Sequence, residues 1–137
     1  LRLALKGCGI KSGVALVAGF CGDKDILGHL RELAPVVKRA WAVAIPNARS
    51  VKADETAGIM RVAGIGQVSA CGCLAQGLNE ARDWAGNYGG VVVVCGSLFL
   101  AGEALLAFGA YPWDLARADH NESVDASVPA AAGCHEV

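Results

Sequence analysis

The sequence predicts an α/β protein in which a mostly parallel sheet carries helices on both faces. Three observations lead there. Short apolar runs alternate with stretches whose apolar residues recur at helical spacing. Four such strand-then-helix units follow one another at roughly 25-residue intervals. The most apolar segment, VVVVCGSLFLAGEALLAF from Val91 to Phe108, breaks in its middle instead of running on as one helix.

The first predicted strand is Val14–Phe20 (VALVAGF), closed by Gly22. Asp23 or Asp25 then caps a helix whose buried face is Ile26, Leu27, Leu30 and Leu33, continuing towards Val37. Pro35 ends or bends that helix. The second strand is Ala40–Ile45 (AWAVAI), stopped by Pro46-Asn47. Ser50 is expected to cap the next helix, with Ala53, Ala57, Met60 and Ala63 inward and Gly64 closing it. Gln67–Ala70 is a weaker strand. It leads to a helix with Leu74, Leu78, Ala81 and Ala85 on one stripe, Trp84 beside them, and an end at Gly86. Asn87-Tyr88-Gly89-Gly90 then turns the chain into a strand at Val91–Val94.

Four consecutive valines are stiff at χ1 and suit a strand buried on both faces. Gly96 breaks the run, and the Ser97 hydroxyl is suited to cap a helix. Beyond it Leu98, Ala101, Leu105 and Phe108 recur at helical spacing, Glu103 falls off the stripe, and Gly109 stops the pattern. A bilayer needs ~20 apolar residues in one helix, so this broken run is not expected to span a membrane. With right-handed crossovers the units assemble into a Rossmann-like three-layer sandwich. Ligands of such sheets sit beyond the carboxyl ends of the strands. That collects Gly22-Asp23-Lys24, Pro46-Asn47-Ala48-Arg49, Cys71-Gly72-Cys73 and Gly96-Ser97 along one edge.

A length of 137 residues fits one domain, and 54% hydrophobic residues suffice for a core without staples. The net charge of −1 gives no basic footprint for nucleic acid. Residues 1–113 carry a net +3 and residues 114–137 a net −4. The expected organisation is therefore an α/β domain over 1–113 and a loosely held acidic, alanine-rich tail over 114–137. The chain opens at Leu1 inside a helix-like pattern (LRLALKG), so it is expected to be a piece of something longer. No secretory signal is visible, which makes the cytoplasm the expected location. The six cysteines lack zinc spacing, and Cys21, Cys71 and Cys95 lie near the ends of apolar runs, so reduced structural thiols are expected. A redox role for Cys71 and Cys73 is the competing possibility.

No catalytic set stands out. No GxGxxG follows a strand and GxxxxGK[ST] is absent; Gly9-Ile10-Lys11-Ser12 imitates the end of a phosphate loop but precedes a strand. His29 sits among helical positions, while His120 and His135 fall in the tail, where Asp119-His120 has nothing to hold it in register. The loops offer better candidates. Asp23, Lys24 and Asp25 set a cation between two carboxylates at a helix start, suited to capping or to binding. Arg49 suits a bidentate anion. Ser97, at a strand end and helix start, can cap or can offer its hydroxyl and neighbouring N–H groups to a carboxylate or phosphate.

These loops carry a resemblance. GFCGDKDILGHLREL and VVVVCGSLFLAGEAL together resemble the C-terminal domain of bacterial folylpolyglutamate synthase/dihydrofolate synthase, within the Mur ligase superfamily. The matching residues are Gly19 with Asp23-Lys24-Asp25-Ile26, and Gly96-Ser97-Leu98-Phe99 with Gly102-Glu103; Pro46 to Arg49 stands where the family has a Pro-rich loop with an arginine. The resemblance covers about residues 14–108. It implies a parent that uses ATP and magnesium to phosphorylate the carboxylate of folate or dihydropteroate, after which the amino group of L-glutamate attacks the acyl phosphate. It also implies that the phosphate loop and magnesium ligands belong to an N-terminal ATPase domain of the same parent, so that the present chain is inactive alone. The implied binding candidates are Asp23, Lys24, Asp25, Arg49 and Ser97; no catalytic residue and no metal ligand is assigned. One departure is that residues 1–13 do not contain the Asp-x-Ala-His-Asn-Pro segment with which the family opens this domain, so its first strand is expected to be missing from this chain. The rival is a stand-alone Rossmann-like ligand- or partner-binding module without catalysis.

Overall fold

The structure, a computed structural model, describes residues 13–22 and 24–109. Among these described residues four strands and four helices alternate: β1 (Val14–Ala18), α1 (Ile26–Leu33), β2 (Val37–Val43), α2 (Ala53–Val62), β3 (Val68–Cys71), α3 (Leu74–Tyr88), β4 (Val91–Cys95) and α4 (Leu98–Ala107). The strands form one sheet in the order β3-β2-β1-β4, and every pairing is parallel. The α/β sandwich with helices on both faces is therefore what the chain adopts.

β1 is apolar throughout because it is central. Val14, Leu16 and Ala18 pack with α1 and α2, whereas Ala15 and Val17 pack with α3 and α4. Such alternation across one strand is the two-residue period of β structure. The chain steps from β1 to β2 to β3 in one direction and then returns past β1 to β4. With a constant right-handed crossover, that reversal requires the connecting helices to change face, as they do here. Two cores result, one on each side of the sheet. In the second, Trp41 is buried and its indole N–H donates to Glu80 Oε2 at 2.8 Å. Burying a ring of that size stabilises by on the order of 4–6 kcal/mol before entropic costs, and the hydrogen bond removes the polar penalty. α3 lies close on the sheet because Gly77 has no side chain; a Cβ there would sit 2.8 Å from Val43 Cγ1.

Several boundaries and faces differ from the sequence-based expectation. α1 ends at Leu33 ahead of Pro35, and Val37 opens β2 instead of extending the helix. Ser50 does not cap α2. Its Oγ accepts from Ile45 N at 2.9 Å and donates to Val51 O at 3.1 Å, closing the preceding loop, while Lys52 occupies the cap without a side-chain bond. Gly86 lies inside α3, which runs on to a left-handed Gly89 at φ 70°. β4 pairs only with β1 among the described strands, so Val91 is exposed and Val92–Cys95 are half-buried, not enclosed on both faces.

α4 turns a different face inward. Leu100 and Ala104 are buried, whereas Leu98 is 89% and Phe99 62% exposed. A helix that is apolar nearly all round has no polar face to orient it, so period alone cannot select its inner side. No helix among the described residues is long and apolar enough to cross a membrane. The tail 114–137, the helical pattern at Leu1–Gly7, and Gly9 to Ser12 lie outside the described residues, as do His120 and His135.

Candidate functional site

The reversal of strand order lies between β1 and β4, which pair in register from Val14↔Val91 to Ala18↔Cys95. Beyond their carboxyl ends the two following loops diverge onto opposite faces, and a crevice opens where they part. A cavity of about 530 Å³ lies there. Phe20, Lys24, Asp25 and His29 line it from the β1–α1 side, and Cys95, Gly96, Ser97, Leu98 and Ala101 from the β4–α4 side.

Each polar group is held by local structure. Asp25 is the cap of α1, its Oδ1 accepting from Gly28 N at 3.0 Å. Ser97 is the cap of α4, its Oγ accepting from Phe99 N at 3.2 Å, and it is only 8% exposed. A hydroxyl that accepts one bond keeps its own proton to donate. The Lys24 ammonium reaches across the crevice and donates to the carbonyl of Gly96 at 3.0 Å. Gly96 adopts φ 110°, and a Cβ there would meet the carbonyl oxygen of Gly19 and the Phe20 ring. Only glycine makes this turn.

The N-termini of α1 and α4 both open on the crevice, each carrying roughly half a positive charge. The Lys24 ammonium offsets the Asp25 carboxylate, so the α4 N-terminus is the end left open to an anionic group, while Phe20, Leu98 and Ala101 provide apolar walls. Of the candidates from sequence, Lys24, Asp25 and Ser97 come together here. Asp23 lies outside the described residues. Arg49 does not line the cavity. It sits in the β2–α2 loop on the same edge of the sheet, where its N–H donates to Asn47 Oδ1 at 2.8 Å and its carbonyl accepts from Gly22 N at 3.0 Å. That last bond ties the β2–α2 loop to the loop that carries Lys24. Among the described residues no group of His, Cys, Asp and Glu could hold a metal ion.

Two lining residues, His29 and Cys95, are not among the binding candidates from sequence. His29 follows Asp25 by four positions and so shares its helix face, and its ring meets Phe20 edge-on at 6.2 Å between centroids. Cys95 is the last residue of β4, directly before the turn at Gly96.

Cys21, Cys71 and Cys95 are free thiols, as expected, whereas Cys73 is disulfide-bonded and departs from the expectation of reduced thiols. Burial pushes the Cys95 thiol up to about 11; burial, reinforced by the Glu80 carboxylate, does the same for Cys71. A reactive redox cysteine has the opposite property, a lowered pKa. Alkylation of Cys71 and Cys95 by iodoacetamide should therefore be slow at pH 7 and rise about tenfold per pH unit up to pH 10. A rate that levels off near pH 8 would mark an activated thiolate and restore the redox reading.

No protein-family model matches the chain, and no curated protein matches it in sequence. Solved structures do match in three dimensions. A folylpolyglutamate synthase of Mycobacterium tuberculosis complexed with ADP and AMPPCP superposes with a TM-score of 0.68 at 23% identity, over 74% of this chain and 24% of that one. The chain has the fold found in folylpolyglutamate synthase structures. The ligand-free bifunctional folylpolyglutamate synthase/dihydrofolate synthase of Yersinia pestis gives a TM-score of 0.67 at 22% identity, over 79% of this chain and 26% of that one. E. coli FolC in complex with DHPP and ADP gives 0.64 at 24% identity, over 85% and 25%. At these identities the likeness is one of fold, and this chain spans about a quarter of the length of each folylpolyglutamate synthase structure it matches.

Proposed function

We propose that this chain is the C-terminal domain of an ATP-dependent ligase of the folylpolyglutamate synthase/dihydrofolate synthase type, which adds L-glutamate to folate or dihydropteroate. One observation carries the reading. From the two stretches by which the sequence resembles that family, Lys24 and Asp25 on one side and Gly96, Ser97 and Leu98 on the other are separated by some seventy residues yet flank the same crevice at the strand-order reversal. Proteins with this fold have been solved with ADP and AMPPCP, and in one case with Mn, AMPPNP and L-glutamate bound.

In this proposal the substrate carboxylate takes the terminal phosphoryl group of ATP, releasing ADP. The glutamate amine then attacks the acyl carbon, expels phosphate and forms the amide. The chain's own part is binding. The N-terminus of α4, with Lys24 offsetting the Asp25 carboxylate, attracts the anionic groups that both steps involve, and Ser97 donates a hydrogen bond to one of them. Asp25 contributes chiefly by holding the first turn of α1, and Asp23 and Arg49 are further binding candidates that the resemblance implies. The described residues lack a carboxylate cluster and do not fit magnesium; in the proposal the N-terminal ATPase domain of a cytoplasmic parent holds it.

The test compares the parent protein with the present chain. The parent is expected to release ADP only when ATP, glutamate and folate or dihydropteroate are all present. The 137-residue chain alone is expected to release none, since it contains no phosphate loop. Turnover by the purified chain, surviving removal of contaminating ligases, would refute the division of labour. A parent without such turnover, or a gene product that starts at Leu1, would favour the stand-alone binding module.

A further inference from the structure

We propose that Lys24 is a positioning residue, whose ammonium straps the Gly96-Ser97 turn in place across the crevice. The rungs joining β1 to β4 end at Ala18↔Cys95. Past that point the two chains separate, and the next link, Gly19 N to Cys95 O, is long at 3.4 Å. The Lys24–Gly96 bond, 3.0 Å long and spanning 72 residues of sequence, then holds the turn from the opposite side.

The chemistry of the turn makes that strap consequential. Gly96 is held at φ 110° against Gly19 and Phe20, a conformation with little intrinsic preference, and it leads directly into the Ser97 cap. Tilting the Gly96–Ser97 peptide would swing the Ser97 hydroxyl and the first N–H groups of α4 away from the cavity. The Lys24 ammonium points to a backbone carbonyl on another element, while Asp25 Oδ1 accepts from Gly28 N and caps α1. Lys24 thereby acts on the site through Ser97, whatever charge it also lends to a bound anion. The consequence for ligand binding rests on the ligase reading above; the mechanical role does not.

The decisive experiment measures amide exchange by NMR in the ligand-free 137-residue chain and in its Lys24→Met and Lys24→Arg variants. Methionine keeps the length and apolar stem but cannot donate; arginine keeps the donor. A hydrogen bond from a charged donor, discounted for an exposed lysine, corresponds to a roughly three- to tenfold change in local opening. Lys24→Met is expected to speed exchange at Phe99 and Ala101, whose N–H groups are bonded to Ser97 Oγ and Ser97 O, by that factor while Leu16 and Val17 in β1 hold their rates. Lys24→Arg is expected to restore at least half of the lost protection. Unchanged exchange at Phe99 in Lys24→Met would overturn the proposal and leave Lys24 as a ligand-facing charge only. A uniform rise that includes β1 would also overturn it, because the bond would then support the whole fold and not the turn. Neither result depends on ligase activity, so an inactive parent would sink the functional reading while leaving this one standing.

Discussion

Gly96→Ala is expected to lower the melting temperature by roughly 8–40 °C. Two costs combine. A non-glycine residue in the left-handed region costs about 1–2 kcal/mol, and forcing a methyl into packed surroundings costs a further 1–3 kcal/mol. Here the obstacles are the backbone oxygen of Gly19 and the ring of Phe20, whose Cε1 would lie 2.9 Å from the new carbon. Neither can move cheaply, because Phe20 is buried in the first core and Gly19 is itself pressed against Val43 O, 2.6 Å from where its own Cβ would be. For a domain of this size each kcal/mol moves the midpoint by about 4–8 °C. Gly86→Ala supplies the contrast. It lies inside α3 with open space around its Cβ, so it should gain about 0.5–1 kcal/mol and melt a few degrees higher. Circular dichroism melts of both variants check the pair. A Gly96→Ala protein within 2 °C of the parent would mean that the turn at the crevice is not built as described.

The same turn shows what the sequence could reveal. The break at Gly96-Ser97 was legible because the apolar period changes there and a small hydroxyl residue stands where a helix must be capped. Asp25 was one of two possible caps, and the observed Gly28 N bond chooses it. Strand order was not legible. Four valines signal a strand, but nothing in their spacing says that β4 would sit at the edge beside β1. The inner face of α4 was hidden for a related reason, its composition being apolar on every side. Ser50 misled because a serine before a helix can equally well close a loop, and here the Ile45 N–H lies within its reach. His29 could have been recognised, since four residues of helix return it to the side of Asp25. Cys95 could not, because its place on the crevice depends on the pairing of β4 with β1.

The claim that the crevice is a ligand site, and not merely a well-capped corner, turns on Ser97. Its hydroxyl demonstrably caps α4, and losing a cap costs ~1 kcal/mol, a loss of a few degrees in melting temperature. Losing a hydrogen bond to a charged ligand group costs roughly 1.5–3 kcal/mol of binding, or about 10- to 150-fold in affinity. The two roles therefore separate in one variant of the full-length ligase proposed above. Ser97→Ala is expected to raise the KM for glutamate at least tenfold while the melting temperature falls by only a few degrees. An unchanged KM alongside the same small drop in melting temperature would contradict the account, leaving Ser97 as a helix cap and the crevice without its proposed ligand.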